Sequence, residues 1–435
     1  MSLGTLAIVG APSVGKSTIF NRIVGERRSI VEQTRGITRD RLYAKAVWLT
    51  KTFTVIDTGG IQIKNVPFQE EIRSQVEIAI QQADAILFLV DGKIGLTGDD
   101  RFIAKLLYKC RKPVILGVNK IDNINEIGNK ADFYALGFGD PIALSGAHGI
   151  GIGDALDLII KKLPEKETPD YGDAIAFSLI GRPNVGKSSL ANRLIGEKRT
   201  IVSDIAGTTR DSVDSPFERN GHRYVVIDTA GLLKRGKIYE AVDKYASIRA
   251  LSAIDRSEVA VLVIDANAGI LEQDKHVVGY AVDAKKAIVI VVNKWDLAKK
   301  GPDAQKEFTE RIRSGFKFLD YASVVFCSAL TGSGLDKILE AIAMAYDGYN
   351  RRIGTSVLNR LIMDAQTFNP TPEFNHGRLK IIYANQVAVC PPTFVLFCND
   401  PSFAHFSYTR YLENKLRGAY DFSGSPINLI YRQRK

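Results

Sequence analysis

The segment "GAPSVGKS" fits the pattern G-x-x-x-x-G-K-S and comprises Gly10, Ala11, Pro12, Ser13, Val14, Gly15, Lys16 and Ser17, with Thr18 next. "GRPNVGKS" fits it again with Gly181, Arg182, Pro183, Asn184, Val185, Gly186, Lys187 and Ser188, followed by Ser189. Each motif follows an apolar strand pattern and opens a helical one, the setting in which backbone N–H groups and a helix N-terminus cradle phosphates. Lys16 and Lys187 are expected to reach the β- and γ-phosphates, and the Ser17 and Ser188 hydroxyls to ligate Mg²⁺. An ordinary glycine-bearing turn would explain one such match, but not two followed by the same downstream motifs.

Those motifs complete two candidate sites. "DTGGI" supplies Asp57, Thr58, Gly59, Gly60 and Ile61, and "DTAGL" supplies Asp228, Thr229, Ala230, Gly231 and Leu232. The aspartates are expected in the Mg²⁺ shell, and the small residues after them allow backbone to approach a γ-phosphate. "NKID" (Asn119, Lys120, Ile121, Asp122) and "NKWD" (Asn293, Lys294, Trp295, Asp296) each close a strand. A fixed carboxylate at Asp122 or Asp296 can accept from the ring N–H and exocyclic amine of guanine. Adenine offers neither donor there, so discrimination on the order of 10⁴ is available. A helix cap is the plain alternative for either aspartate alone. "SGAHG" and "SALTG" place backbone near the guanine carbonyl, around Gly146 and around Ser328 and Ala329. Thr38 in "GITRD" and Thr209 in "GTTRD" are the switch candidates, each a Mg²⁺ ligand while the γ-phosphate is present. Many GTPases place a water-orienting glutamine where Ile61 and Leu232 stand, and aliphatic side chains cannot do that work. Slow basal hydrolysis that a partner or cation accelerates is the expected behaviour.

These motifs repeat as a domain. Gly10 and Gly181 are 171 residues apart, as are Gly60 and Gly231, whereas Asn119 and Asn293 are 174 apart and Ser145 and Ser328 are 183 apart. Such drift belongs in loops and surface helices, where insertions cost little. "TLAIVG", "FTVIDT", "AILFLVDG" and "PVILGVNK" read as buried parallel strands, and "IAFSLIG", "YVVIDT", "VAVLVIDA" and "AIVIVVNK" are their counterparts. Alternation with helical patterns gives an α/β fold class, a doubly wound and mostly parallel sheet occurring twice, with ligands at the carboxyl ends of the strands. The expected domains are residues 4–164 and 174–347, joined by a linker at 165–173 within the proline- and acid-rich "LPEKETPDYGD". Residues 348–435 read α-β-β-α-β, a small α+β domain.

The combination of paired phosphate loops, "GTTRDSVD", "NKWD" and "NPTP…PPTFVLFCNDP…FSYTRYLEN" resembles Der, also called EngA, the bacterial GTPases with two G domains and a KH-like third domain. The resemblance covers nearly the whole chain. It implies hydrolysis of GTP to GDP and phosphate, with Mg²⁺, in maturation of the large ribosomal subunit and its ribosomal RNA. Nucleotide state would gate ribosome binding. The resemblance also makes Asn184 a candidate ligand for potassium, a role the shorter Ser13 does not match. No G-x-x-G clamp occurs in the third domain, a departure from RNA-binding KH modules. Its basic residues, Arg378, Lys380, Arg410 and Lys415 among them, suit phosphate contacts or merely line a solvated rim.

Other readings are a relative with one G domain acting on the small subunit, a tRNA-modification GTPase, and a nucleotide-locked scaffold without turnover. The duplication and the neighbouring domains disfavour the first two. The net charge of +10 among 435 residues agrees with an acidic partner. Cys110, Cys327, Cys390 and Cys398 form no C-x-x-C pair and read as reduced core residues. No apolar run suits a signal peptide or membrane span, so the expectation is a cytoplasmic protein; a monomer in solution is a separate expectation.

Overall fold

Seven consecutive residues of one strand, Ala85–Asp91, are buried, as are all seven of Ala287–Asn293. Continuous burial of this kind requires a sheet covered on both faces. The computed structural model describes residues 2–25, 43–60, 68–165, 171–196, 214–229, 250–298 and 301–434. These fall into two compact units, residues 2–165 and residues 171–434.

In the first unit the strands are β1 (Ser2–Gly10), β2 (Tyr43–Trp48), β3 (Lys51–Asp57), β4 (Ala85–Asp91), β5 (Val114–Asn119) and β6 (Ile142–Ala143). Among the described residues they form one sheet in the order β2-β3-β1-β4-β5-β6. Only the β2–β3 pair is antiparallel. β1 therefore lies between β3 and β4, and the connections leave it to opposite sides. A crevice opens at its carboxyl end, where Gly10 leads into the phosphate loop and the helix Lys16–Gly25.

The second unit repeats the pattern with β7 (Ile175–Ile180), β8 (Ser215–Arg219), β9 (His222–Ile227), β10 (Val259–Asp265), β11 (Ala287–Asn293) and β12 (Ser323–Phe326), ordered β8-β9-β7-β10-β11-β12. Alternate residues of β10 serve opposite cores. Val259, Val261 and Val263 pack with the helix Leu335–Asn350, while Ala260, Leu262 and Ile264 pack with the helices Glu272–Asp283 and Ala304–Gly315.

The C-terminal region contains the helix Thr355–Phe368, a short hairpin β13–β14 (Glu373–Phe374, Gly377–Arg378), β15 (Ile381–Ala388), β16 (Thr393–Cys398), the helix Phe406–Ala419 and β17 (Asn428–Gln433). The α-β-β-α-β order stands, with the small hairpin as an addition. β15 and β16 run antiparallel, β16 and β17 parallel. This domain is welded to the second G domain inside one compact unit. Ile288 N–H donates to Gly424 O at 2.7 Å and Gly424 N–H to Tyr321 O at 2.8 Å. The Arg417 guanidinium lies 4.8 Å from the Tyr321 ring centroid, and Lys285 Nζ reaches Asn428 Oδ1 at 2.9 Å.

Cys327 and Cys398 are buried and Cys110 half-buried, but Cys390 is exposed in the β15–β16 turn, which corrects the core reading for that residue. Its thiol donates to Asn350 Oδ1 at 2.9 Å. No helix among the described residues is long and apolar enough to cross a membrane.

Gly424 has φ +72°, and a Cβ there would lie 2.5 Å from Ala345 Cβ. Gly424→Ala combines a left-handed penalty with overpacking and is expected to cost about 2–4 kcal/mol. The denaturant midpoint of the second unit should fall accordingly. An unchanged midpoint would show that this loop does not hold the two domains together.

Candidate functional site

In each copy one buried asparagine amide joins the loops of the site. Asn119 closes β5; its Nδ2 donates to Val14 O at 2.7 Å and its Oδ1 accepts from Gly146 N–H at 3.0 Å. Asn293 closes β11 and does the same with Val185 O (2.9 Å) and Ala329 N–H (3.0 Å). The phosphate loops must come close for this. Gly15 (φ +95°) and Gly186 (φ +98°) pass so near that a Cβ on either would lie 2.3 Å from the asparagine Nδ2.

The two phosphate loops have matching backbones. Ser13 and Asn184 both take the left-handed region, at φ +63° and +64°. Lys16 Nζ donates to Gly10 O and Ala11 O, both at 2.8 Å, and Lys187 Nζ to Gly181 O and Arg182 O, both at 2.7 Å. Burial pushes the Lys187 ammonium down to about 8. Ser17 and Thr18 are exposed at the start of their helix, Ser188 is half-buried and Ser189 exposed. Pro12 is exposed and Pro183 half-buried, while Val14 and Val185 are buried beneath the loops.

Asp57 ends β3 beside this loop and is buried, and its Oδ1 accepts from Gly59 N–H at 2.9 Å. Gly59 lies against Lys16; a Cβ there would sit 2.8 Å from the lysine Cε. Thr58 Oγ1 donates to Ile8 O at 2.6 Å and fixes the turn to β1. In the second copy Asp228 N–H donates to Asp214 Oδ1 at 3.0 Å, and Thr229 Oγ1 lies 2.9 Å from Ser215 Oγ. Thr38, Ile61, Thr209, Ala230, Gly231 and Leu232 lie outside the described residues.

At the base end, Ser145 Oγ donates to Asp122 Oδ1 at 2.7 Å. Asp296 Oδ1 is buried with no hydrogen-bond partner among the described residues. Ile121 is fully buried, and Trp295 packs on Phe326 with centroids 4.5 Å apart, so both side chains serve the core. Lys120 and Lys294 cross to Asp91 (2.6 Å) and Asp265 (2.7 Å), and Lys294 Nζ also reaches Asn184 O at 2.8 Å.

Several of these partners were not singled out in the sequence. Asp91 and Asp265 end β4 and β10. Arg22 pins the base loop through Gly146 O (3.2 Å) and Ala147 O (2.5 Å), and Arg193 does so through Ala329 O (3.2 Å) and Leu330 O (2.9 Å). Their signal was the shared "NRI" and "NRL" in the aligned copies.

The Ala11–Arg182 difference has a structural cause. Arg182 reaches the segment that follows β10. Its Nε lies 3.2 Å from Asp274 Oδ2 and its NH2 group donates to Gly269 O at 3.0 Å. Asp274 is fully buried and also accepts from Leu271 N–H at 3.0 Å. In the first copy Asp100 is equally buried, residue 11 is alanine, and Thr97 supplies both its N–H (3.0 Å) and its hydroxyl (2.7 Å) to Asp100 Oδ2. Each copy thus engages one oxygen, Oδ2, of its buried carboxylate with a different side chain, while Oδ1 of each has no hydrogen-bond partner among the described residues, and burial raises both carboxyls above the usual range.

Two doubly wound sheets, each with a phosphate loop, a strand-ending aspartate and an N-K-x-D base loop at its carboxyl edge, define a tandem P-loop GTPase. A family model described as 50S ribosome-binding GTPase matches residues 5–120 and 176–294. A model described as the KH-domain-like C-terminal part of EngA bacterial GTPase enzymes matches residues 352–432. GTPase Der of Macrococcus caseolyticus is 54% identical over 435 residues, spanning 100% of both chains. GTPase Der of Leuconostoc mesenteroides is 55% identical over 436 residues, again spanning 100% of both. The chain belongs to the GTPase Der family. Among solved structures, Aquifex aeolicus Era bound to GDP and aluminium fluoride is 22% identical, covering 75% of this chain and 93% of that one, with a TM-score of 0.32, too loose a likeness to bear on function.

Arg182→Ala leaves a buried carboxylate without its cation, and the second domain should lose about 3 kcal/mol in denaturant unfolding. Adding Leu271→Thr, which copies the first domain, should return part of that loss. Equal stability of Arg182→Ala and the parent protein would mean that the ion pair does not hold the loop.

Proposed function

We propose that this GTPase acts in maturation of the large ribosomal subunit, with the nucleotide states of two working sites gating its attachment to the particle. The observation that carries the reading is the shared arrangement of the two sites. Each has its own lysine, strand-ending aspartate and asparagine bolt, so neither copy is a relic. The ribosome-binding description of the matched G-domain model and the KH-like domain packed on the second G domain support the partner. Contacts to ribosomal RNA would run through phosphates and shape, in keeping with the charge of +10 and the missing G-x-x-G clamp.

In each site the phosphate-loop backbone and helix N-terminus bind the nucleotide phosphates. Lys16 or Lys187 exchanges its two loop carbonyls for phosphate oxygens. Asp122 or Asp296 reads guanine, and the Asn119 or Asn293 bolt keeps base loop and phosphate loop in register. The Ser17 and Ser188 hydroxyls and the Asp57 and Asp228 carboxylates are hard oxygen donors, a set that suits Mg²⁺. Thr38 and Thr209 would join them. When bound, the ion neutralises charge that develops on the phosphates. Because Ile61 and Leu232 cannot orient water, turnover is slow until another group does so. Asn184 is the candidate potassium ligand in the second site, where its loop matches that of Ser13 in all but side chain.

Phosphate release from Lys16→Ala and Lys187→Ala chains, with and without large subunits, tests this reading. Each variant should lose its own site's turnover by about 100-fold, the double variant all of it. Exchanging sodium for potassium should accelerate the Lys16→Ala chain more than the Lys187→Ala chain. Pelleting with large subunits should differ between GDP and a non-hydrolysable GTP analogue. Single variants that hydrolyse like the parent would refute the site assignment, and nucleotide-independent pelleting would refute gating.

A further inference from the structure

In the first base pocket a lysine reaches the aspartate expected to read the base. After β4 and β10 the chain makes the same turn. Lys93 N–H donates to Asp91 Oδ1 at 2.9 Å, and Asn267 N–H donates to Asp265 Oδ1 at 2.9 Å. The turns continue alike, with Gly95 at φ +81° and Gly269 at φ +68°. Lys93 and Asn267 are therefore equivalent positions. In the first copy the side chain reaches back to the base loop, and Lys93 Nζ meets Asp122 Oδ2 at 2.5 Å. Since Ser145 holds Oδ1, both oxygens of that carboxylate are engaged. Lys93 and Ser145 hold the Asp122 carboxyl below its usual range. In the second copy Asn267 carries no charge and is too short to repeat this contact. Asp296 Oδ1 there is buried without a partner among the described residues.

Resting on the assignment of Asp122 and Asp296 as guanine readers, we propose that Lys93 is an internal competitor for the base, which makes the first site the weaker guanine binder. Guanine needs two acceptor positions on the carboxylate. In the first site its exocyclic amine or ring N–H must displace the Lys93 ammonium, whereas in the second Asp296 Oδ1 is buried with no partner to displace among the described residues. Lys93 is more than half exposed and its pair with Asp122 stands near solvent, so the competition is modest and screened by salt. Lys93 is a positioning and specificity residue: it acts through Asp122.

The test uses the full chain with the second site removed from guanine competition by Asp296→Asn, and fluorescently labelled GDP as probe. In that background Lys93→Asn should tighten GDP binding about three-fold at low ionic strength. The ratio of variant to parent affinity should fall to one as sodium chloride approaches about 1 M. The reverse graft, Asn267→Lys in an Asp122→Asn background, should weaken the second site by a similar factor. Asp122→Asn, titrated with GDP and with xanthosine diphosphate, tests the base reading separately, since an amide there should prefer xanthine. Unchanged base preference in that variant would overturn the guanine assignment. A normal switch to xanthine, combined with Lys93→Asn binding GDP as the parent does or more weakly, would overturn the role of Lys93 alone.

Discussion

A single buried amide in each domain is the constraint on which the rest of the site depends. Asn119 and Asn293 are almost fully buried, and each uses a donor and an acceptor of one side chain to hold two loops that approach from different strands. Leaving either loop group unpaired in this environment would cost about 1–3 kcal/mol, so the loops are locked in register rather than merely adjacent. The same bolt explains Gly15 and Gly186, whose missing side chains let the phosphate loop pass beneath the amide. It also explains why the sheet order matters. β1 and β5, or β7 and β11, must end at the same edge with one strand between them. The loops proposed to bind phosphate and base are then held in one frame.

Around that common frame the copies have diverged where divergence is cheap. Thr97 with Ala11, and Leu271 with Arg182, are two ways of engaging one oxygen of a buried aspartate. The arginine solution ties the second phosphate loop to the helix Glu272–Asp283 by charge. The second domain is also the one welded to the KH-like domain, through the Gly424 loop and the Tyr321–Arg417 stack. The second nucleotide site therefore sits on the same compact unit as the element matched to the KH-like model. The first site, with Lys93 over its aspartate, is a separate unit with its own affinity.

Much of this was legible in the sequence because the chemistry is carried by contiguous strings. "GAPSVGKS", "DTGG" and "NKID" fix residue types at fixed spacing, and the apolar runs before them announce the strands. The helix read from "TSVLNRLIMDAQTF" spans Thr355–Phe368 in the structure. What stayed hidden were contacts between residues far apart in sequence. Arg22 meets Gly146 across 124 positions, and Arg182 meets Gly269 across 87. No local period encodes either. Cys390 misled because a lone cysteine usually packs inside, whereas this one lies in a turn of the third domain. The docking of that domain on the second G domain runs through the Gly424 loop, the Arg417–Tyr321 contact and the Lys285–Asn428 hydrogen bond, none of which leaves a local pattern.

If the proposed function holds, each copy is a guanine-nucleotide site closed by its own asparagine. Equilibrium dialysis of the full chain against labelled GDP counts them directly. The parent should saturate at two nucleotides per chain, and Asn119→Ala or Asn293→Ala should each remove one. Saturation of the parent at a single nucleotide, or an asparagine variant that still holds two with parental affinity, would contradict it.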